Sequence, residues 1–385
     1  MRRLVVLGAV LLVLAGCGED PDAGPGPATV TASPSDETDP DETDETAEAE
    51  ETDGAVPSRA PQVVGEAATG LAVPWGLAFL PDGRAVVTER DERTVLLVDP
   101  EAPESTRVEE VGRLEQAAPQ GEAGLLGVAV SPDFDEDRLL YFYVSTSEDN
   151  RILRARLDED DRLGEATAVL TGIPNGFIHD GGRLAFGPDG FLYASTGETG
   201  VGELSQDPAS LGGKILRITS DGEPAPGNPD PSSPVWSLGH RNVQGLAFDD
   251  QDHLWASEFG QSTYDELNLI RPGSNYGWPE AEGRAGSSDF VNPRVVWSTD
   301  EASPSGLAYA DGQLWLAALR GTRLWRIGVD DGEVGPVRDF FVGEYGRLRT
   351  VAVAPDGMLW VTTSNRDGRG EPAATDDRIL VVDPG

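Results

Sequence analysis

Leu184-Ala185-Phe186-Gly187-Pro188-Asp189-Gly190-Phe191-Leu192-Tyr193 reads as a β-hairpin. Apolar residues alternate on both sides of a Pro-Asp-Gly turn, in which proline pre-sets φ and glycine accepts a positive one. The same unit recurs. Trp75-Gly76-Leu77-Ala78-Phe79 passes through Pro81-Asp82-Gly83 into Ala85-Val86-Val87. Further copies begin at Leu126-Gly127-Val128, Gly245-Leu246-Ala247, Gly306-Leu307-Ala308 and Val351-Ala352-Val353, giving six. Most continue into a third apolar run, such as Val95-Leu96-Leu97-Val98 or Leu324-Trp325-Arg326-Ile327. The copies recur every ~45 to 60 residues with little helical periodicity, which predicts an all-β, six-bladed β-propeller of four-stranded units. Gln62-Val63-Val64-Gly65-Glu66 is a spare strand expected to complete the last blade and close the ring.

A propeller gathers loops around one channel mouth, so the residues that break the repeat are the candidates for chemistry. Foremost is His179, directly ahead of the opening hairpin and one of three histidines. The formal charge of −39 excludes nucleic acid as a partner, because a phosphate backbone needs basic contacts. Lys214 is the only lysine, so nearly all positive charge is arginine. The only cysteine is Cys17, so the fold has no internal disulfide.

The N-terminus reads as an address. Arg2 and Arg3 precede an apolar stretch over 4–15 that is too short for a comfortable transmembrane helix. Leu14-Ala15-Gly16-Cys17 resembles the lipobox of bacterial lipoproteins. That resemblance implies a signal peptide over 1–16, lipidation of Cys17, and anchoring outside the cytoplasmic membrane by lipid alone. Residues 17–58 are rich in Asp, Glu, Thr and Pro and poor in large apolar groups, which predicts a disordered acidic linker. The propeller domain is expected over 59–385.

From residue 73 onward the interruptions resemble one family. Gly121-Glu122-Ala123-Gly124-Leu125-Leu126-Gly127, His179-Asp180-Gly181-Gly182-Arg183-Leu184 and Gly239-His240-Arg241-Asn242-Val243-Gln244-Gly245 are followed by Glu258-Phe259-Gly260-Gln261, Asp265-Glu266-Leu267-Asn268 and Asn275-Tyr276-Gly277-Trp278-Pro279. In this order they resemble the soluble sugar dehydrogenases that use pyrroloquinoline quinone (PQQ), the glucose and aldose sugar dehydrogenase family. The resemblance implies oxidation of an aldose at C1 to the lactone, with electrons passed on to an external acceptor.

The resemblance also assigns roles. His179 matches the catalytic base, a task suited to an imidazole that titrates near neutrality. Arg241 and Asn242 match residues that contact the quinone. Arg347 and Arg349 match an Arg-x-Arg pair, and Arg320 stands where a lysine is usual; converging arginines suit the three carboxylates of PQQ. Glu122 stands where many members carry a sugar-binding glutamine. The carbonyls of Gly260 and Gln261 match those that hold the Ca²⁺ shared with PQQ, and Glu266 with the Tyr276 carbonyl resembles a second, structural Ca²⁺ site. Two other readings of a six-bladed propeller stand beside this one: a Ca²⁺-dependent lactonase, whose metal site is built from carboxylates and asparagines, and a non-catalytic binding propeller.

Overall fold

Period-two alternation gives every strand two buried faces when hairpins stack face to face, so the repeats form blades around an axis instead of one wide sheet. The computed structural model describes residues 59–385. Within them are six four-stranded antiparallel sheets. The expected signal peptide, Cys17 and the acidic linker lie outside the described residues. Among the described residues the only α-helix is Phe134–Asp137, and no helix is long and apolar enough to cross a membrane.

Blade 1 comprises Pro74–Phe79, Ala85–Glu89, Thr94–Val98 and Val108–Arg113. Blade 2 comprises Leu125–Val130, Leu139–Ser145, Asn150–Arg156 and Thr167–Ile173. Blade 3 comprises Gly181–Phe186, Leu192–Thr196, Lys214–Ile218 and Val235–Leu238. Blade 4 comprises Val243–Phe248, Leu254–Glu258, Tyr264–Ile270 and Val295–Ser298. Blade 5 comprises Pro304–Ala310, Gln313–Ala318, Arg323–Asp330 and Glu333–Phe340. Blade 6 takes Leu348–Val353, Leu359–Thr363 and Ile379–Asp383 from the end of the chain and Gln62–Ala68 from the start. Gln62 pairs with Asp383, so the spare strand closes the ring as expected.

The apolar core lies between blades. Trp255, Leu267, Leu316 and Trp325 pack blade 4 onto blade 5, while Trp75, Tyr141, Leu184 and Leu216 join blades 1 to 3. Each such buried side chain contributes about 1.5–3 kcal/mol. Hydroxyls at equivalent places in the second strands stitch neighbours together. Ser195 Oγ donates to the Val243 carbonyl at 2.8 Å, and Ser257 Oγ donates to the Ser305 carbonyl at 2.8 Å. The second contact explains Gly245, where a Cβ would lie 2.2 Å from Ser257 Oγ and 2.4 Å from the Ser305 carbonyl oxygen.

One irregularity repeats in all six blades. The register between first and second strands shifts at Pro74/Leu77, Leu125/Val128, Gly181/Leu184, Val243/Gly245, Pro304/Leu307 and Leu348/Val351. Such a bulge re-aims the side chain it carries. Trp75, Arg183, Gln244 and Arg349 all fall within these bulges. Arg183 reaches from blade 3 to the Gln244 carbonyl (2.7 Å) and to Thr350 Oγ1 of blade 6 (3.1 Å), with its guanidinium 4.5 Å from the Trp75 ring. The channel is therefore crossed by a side chain, and the space above it is a pocket with a floor.

Candidate active site at the channel mouth

Above that floor lies a cavity of about 340 Å³. Trp75, Gln244 and Arg349 form its base, and Arg90, Arg320, Arg347 and Arg369 stand around it. Five arginines converge here on a chain of net charge −39. Arg347 Nε and Nη2 donate to Asp367 Oδ2 at 3.0 and 2.9 Å, and Arg349 Nη2 reaches the same oxygen at 3.3 Å. Burial opposes ionisation of Asp367, but Arg349 and Arg347 beside it hold its carboxyl below the usual range. Burial also lowers Arg349 to about 10. Two guanidiniums sharing one carboxylate leave positive charge over, which suits a polycarboxylate ligand. Arg320 differs from its neighbours: its side chain is 62% exposed and pairs with Asp300 at 2.5 Å, so it guards the rim.

His179 adjoins this cavity through Glu122. Its backbone N–H donates to Glu122 Oε2 at 2.9 Å, and Glu122 Oε1 accepts from Arg369 Nη1 at 3.0 Å. Burial would raise the Glu122 carboxyl; the His179 N–H and the Arg369 charge outweigh it and leave the group below its ordinary value. His179 has φ +57°, a left-handed conformation that turns the chain sharply into the first strand of blade 3. The turn packs on Gly197, where a Cβ would lie 1.7 Å from the His179 carbonyl oxygen.

The ring contacts define a tautomer. His179 Nδ1 faces Glu198 Oε1, and Nε2 lies 3.0 Å from Arg241 Nη2. A guanidinium can only donate, so Nε2 accepts and carries the lone pair, while Nδ1–H donates to Glu198. Arg241 Nη1 donates to the Gly260 carbonyl at 2.6 Å, and its guanidinium sits 5.3 Å from the Trp278 ring. Glu258 fixes the loop that carries it: one oxygen takes the Arg241 backbone N–H, and the other meets His240 Nδ1 at 2.8 Å. Glu198, Glu258 and Asp367 are thus site residues that the sequence reading did not single out.

The other expected residues divide. Asn242 is buried, and its Oδ1 accepts the Gly181 N–H at 3.1 Å; it braces the His179 turn and is not part of the cavity wall. The Gly260 carbonyl that the resemblance offers to Ca²⁺ accepts from Arg241 Nη1 at 2.6 Å, so an ion there would have to share that oxygen with a guanidinium or replace it. Glu266 and Tyr276 do share one small space, together with Glu258 and Glu282. Burial and the Glu258 carboxylate push the Glu266 carboxyl up, a repulsion that a cation would relieve. Among the described residues no group of three or more His, Cys, Asp or Glu is arranged for a metal, so an ion in either place must draw on backbone carbonyls. His253 lies in a turn away from the site, with Nδ1 3.1 Å from Asp249 Oδ2.

Residues 71–374 match the family model described as Glucose / Sorbosone dehydrogenase. The PQQ-bound structure of the aldose sugar dehydrogenase of Streptomyces coelicolor is 56% identical, with a TM-score of 0.81, and the match covers 84% of this chain and 98% of that one. The aldose sugar dehydrogenase of Escherichia coli is 29% identical over 330 residues, covering 77% of this chain and 88% of its own length. Quinoprotein glucose dehydrogenase B of Acinetobacter calcoaceticus is 32% identical over 256 residues, 58% of this chain and 53% of its own.

Proposed function

The chain belongs to the glucose/sorbosone dehydrogenase family, and from that premise we propose that it oxidises an aldose at C1 to the lactone, with PQQ as its redox group and Ca²⁺ beside it. One observation carries the reading: His179, whose Nε2 meets Arg241, is joined through Glu122 to an arginine-lined cavity. The donor set fits PQQ, since Arg347 and Arg349 offer more positive charge than Asp367 neutralises. Bound there, PQQ supplies the two-electron acceptor for the hydride of C1.

The rest belongs to this chain. His179 Nε2 takes the proton of the C1 hydroxyl as the carbonyl forms. Glu198 keeps Nδ1 protonated beforehand and stabilises the imidazolium afterwards, as an orienting carboxylate does in other base-carboxylate pairs. Arg241 Nη2 covers the Nε2 lone pair in the resting site; turned toward the ligand, it frees Nε2 for the proton and sets positive charge where electron density accumulates. Glu122, ionised and anchored by Arg369, presents a carboxylate to sugar hydroxyls. Gly260 and Gln261 carbonyls would hold the Ca²⁺ near the cofactor once Arg241 turns toward its ligand, and Glu266 with the Tyr276 carbonyl would hold a structural one. The lipobox reading places the enzyme outside the cytoplasmic membrane on a lipid anchor, with an external acceptor taking the electrons.

The test is an absorbance titration of the purified full chain with PQQ, followed by dye reduction with a panel of aldoses in Ca²⁺ or in chelator. Saturable PQQ binding with sugar-dependent turnover is expected. Absence of PQQ binding overturns the reading. A His179→Ala variant that binds PQQ and keeps full turnover removes the histidine from its role.

A further inference from the structure

Behind the His179 turn, three fully buried oxygens lack any hydrogen-bond partner: Ser145 Oγ, Asn150 Oδ1 and Asp180 Oδ2. They belong together. Ser145 and Asn150 lie directly opposite each other on adjacent strands of blade 2, so their side chains leave the sheet on one face. Asn150 Nδ2 donates to Asp180 Oδ1 at 3.0 Å and to the Pro174 carbonyl at 2.8 Å, which puts the carboxylate against the Asn150 amide. Both Nδ2 contacts are acceptors, so the amide orientation is fixed and its oxygen is the orphan. Asp180 Oδ1 also takes the Gly176 N–H at 3.0 Å, while Oδ2 has nothing.

The charge balance says what is missing. Burial raises the Asp180 carboxyl to about 7 against those two hydrogen bonds, and the one charge acting on it, Glu122, has the same sign. A water, or a proton on Asp180, would pair these oxygens near neutral pH; above it, only a cation compensates the ionised carboxylate while taking oxygens from all three side chains. Carboxylate, amide carbonyl and hydroxyl are the ligand types of a hard cation. A single carboxylate balances a single positive charge. We propose that Ser145 Oγ, Asn150 Oδ1 and Asp180 Oδ2 form a buried site for one small monovalent cation, sodium by hardness and charge. It is separate from the cavity and from the carbonyls assigned to Ca²⁺. Its occupant ties blade 2 to the segment that presents the base: Asp180 follows His179 directly, and the Phe177 carbonyl accepts the Glu122 N–H at 3.0 Å.

The experiment uses the full chain free of PQQ, at pH 8 in chelator, with NaCl exchanged for N-methylglucamine chloride at constant ionic strength. Thermal unfolding should show a saturable rise with Na⁺, about 4 °C at a hundredfold excess over half-saturation. Asp180→Asn should lose the Na⁺-specific rise. Ser145→Ala, which removes one neutral ligand with little steric change, should move half-saturation about tenfold higher. No difference between Na⁺ and N-methylglucamine in the wild type assigns the space to water or a proton and overturns the proposal. Wild-type Na⁺ responses in both variants put the ion elsewhere and overturn it equally.

Discussion

Replacing Glu198 by glutamine tests the assignment of the base most directly. Glu198 is 2% exposed, and its oxygen faces His179 Nδ1. In the resting enzyme it selects the tautomer with Nδ1 protonated and the lone pair on Nε2, where Arg241 Nη2 donates to it. Once the sugar proton reaches Nε2, the ring becomes a cation against a buried carboxylate. Two unit charges about 4 Å apart at an effective dielectric of about 20 attract by about 4 kcal/mol. Losing that stabilisation costs about three decades in kcat at 1.36 kcal/mol per decade. A glutamine that turns its amide toward Nδ1 also favours the opposite tautomer and adds to the loss. The PQQ dissociation constant should stay within a few-fold, because Arg347 and Arg349 are untouched. The assay is steady-state dye reduction at saturating PQQ, Ca²⁺ and sugar, with PQQ affinity measured separately by absorbance. A kcat within tenfold of the wild type would refute the tautomer argument and with it the role given to Nε2.

Other outcomes follow from the same contacts. Arg349→Gln should weaken PQQ binding by about 10- to 100-fold, the loss of a hydrogen bond to a charged group, read by titration. Arg369→Gln should lower kcat only about two- to fivefold, since a half-exposed ion pair contributes ~0.2–1 kcal/mol, with Arg369→Lys restoring most of it. Gly197→Ala should abolish turnover and lower the melting temperature by a few degrees, because its methyl would overlap the His179 carbonyl and displace the turn.

The propeller was legible because its evidence is repeated. Buried first, second and third strands alternate strongly and meet at turns with few chemical solutions. The fourth strands were not individually visible. Glu333–Phe340 and Thr167–Ile173 are largely exposed and carry little apolar signal, since they form the outer edge of their blades. His179, Arg347 and Arg349 could be read from interruptions of the repeat. Their counter-ions could not, because 68 acidic residues hide three important ones. Asn242 shows the opposite limit. Its place in a motif was legible, but the direction of its side chain follows from the Gly181 N–H across a blade boundary. The bulges that aim Trp75, Gln244 and Arg349 inward were equally hidden, since a register shift leaves apolar alternation almost intact.

The pairing of Gln62 with Asp383 has a consequence for folding. The strand Gln62–Ala68 must wait, unpartnered along its edge, until Ile379–Asp383 is free to pair with it. Blades 1 to 5 can form in order by local hairpins, but the ring is held open until Ile379–Asp383 arrives between the two ends. Closure is then a single contact of very high sequence separation, the slowest kind to form. During that interval the exposed edges of the first and last blades are the places where another copy of the chain can pair in error. Ring closure is therefore governed by the meeting of Gln62–Ala68 with Ile379–Asp383.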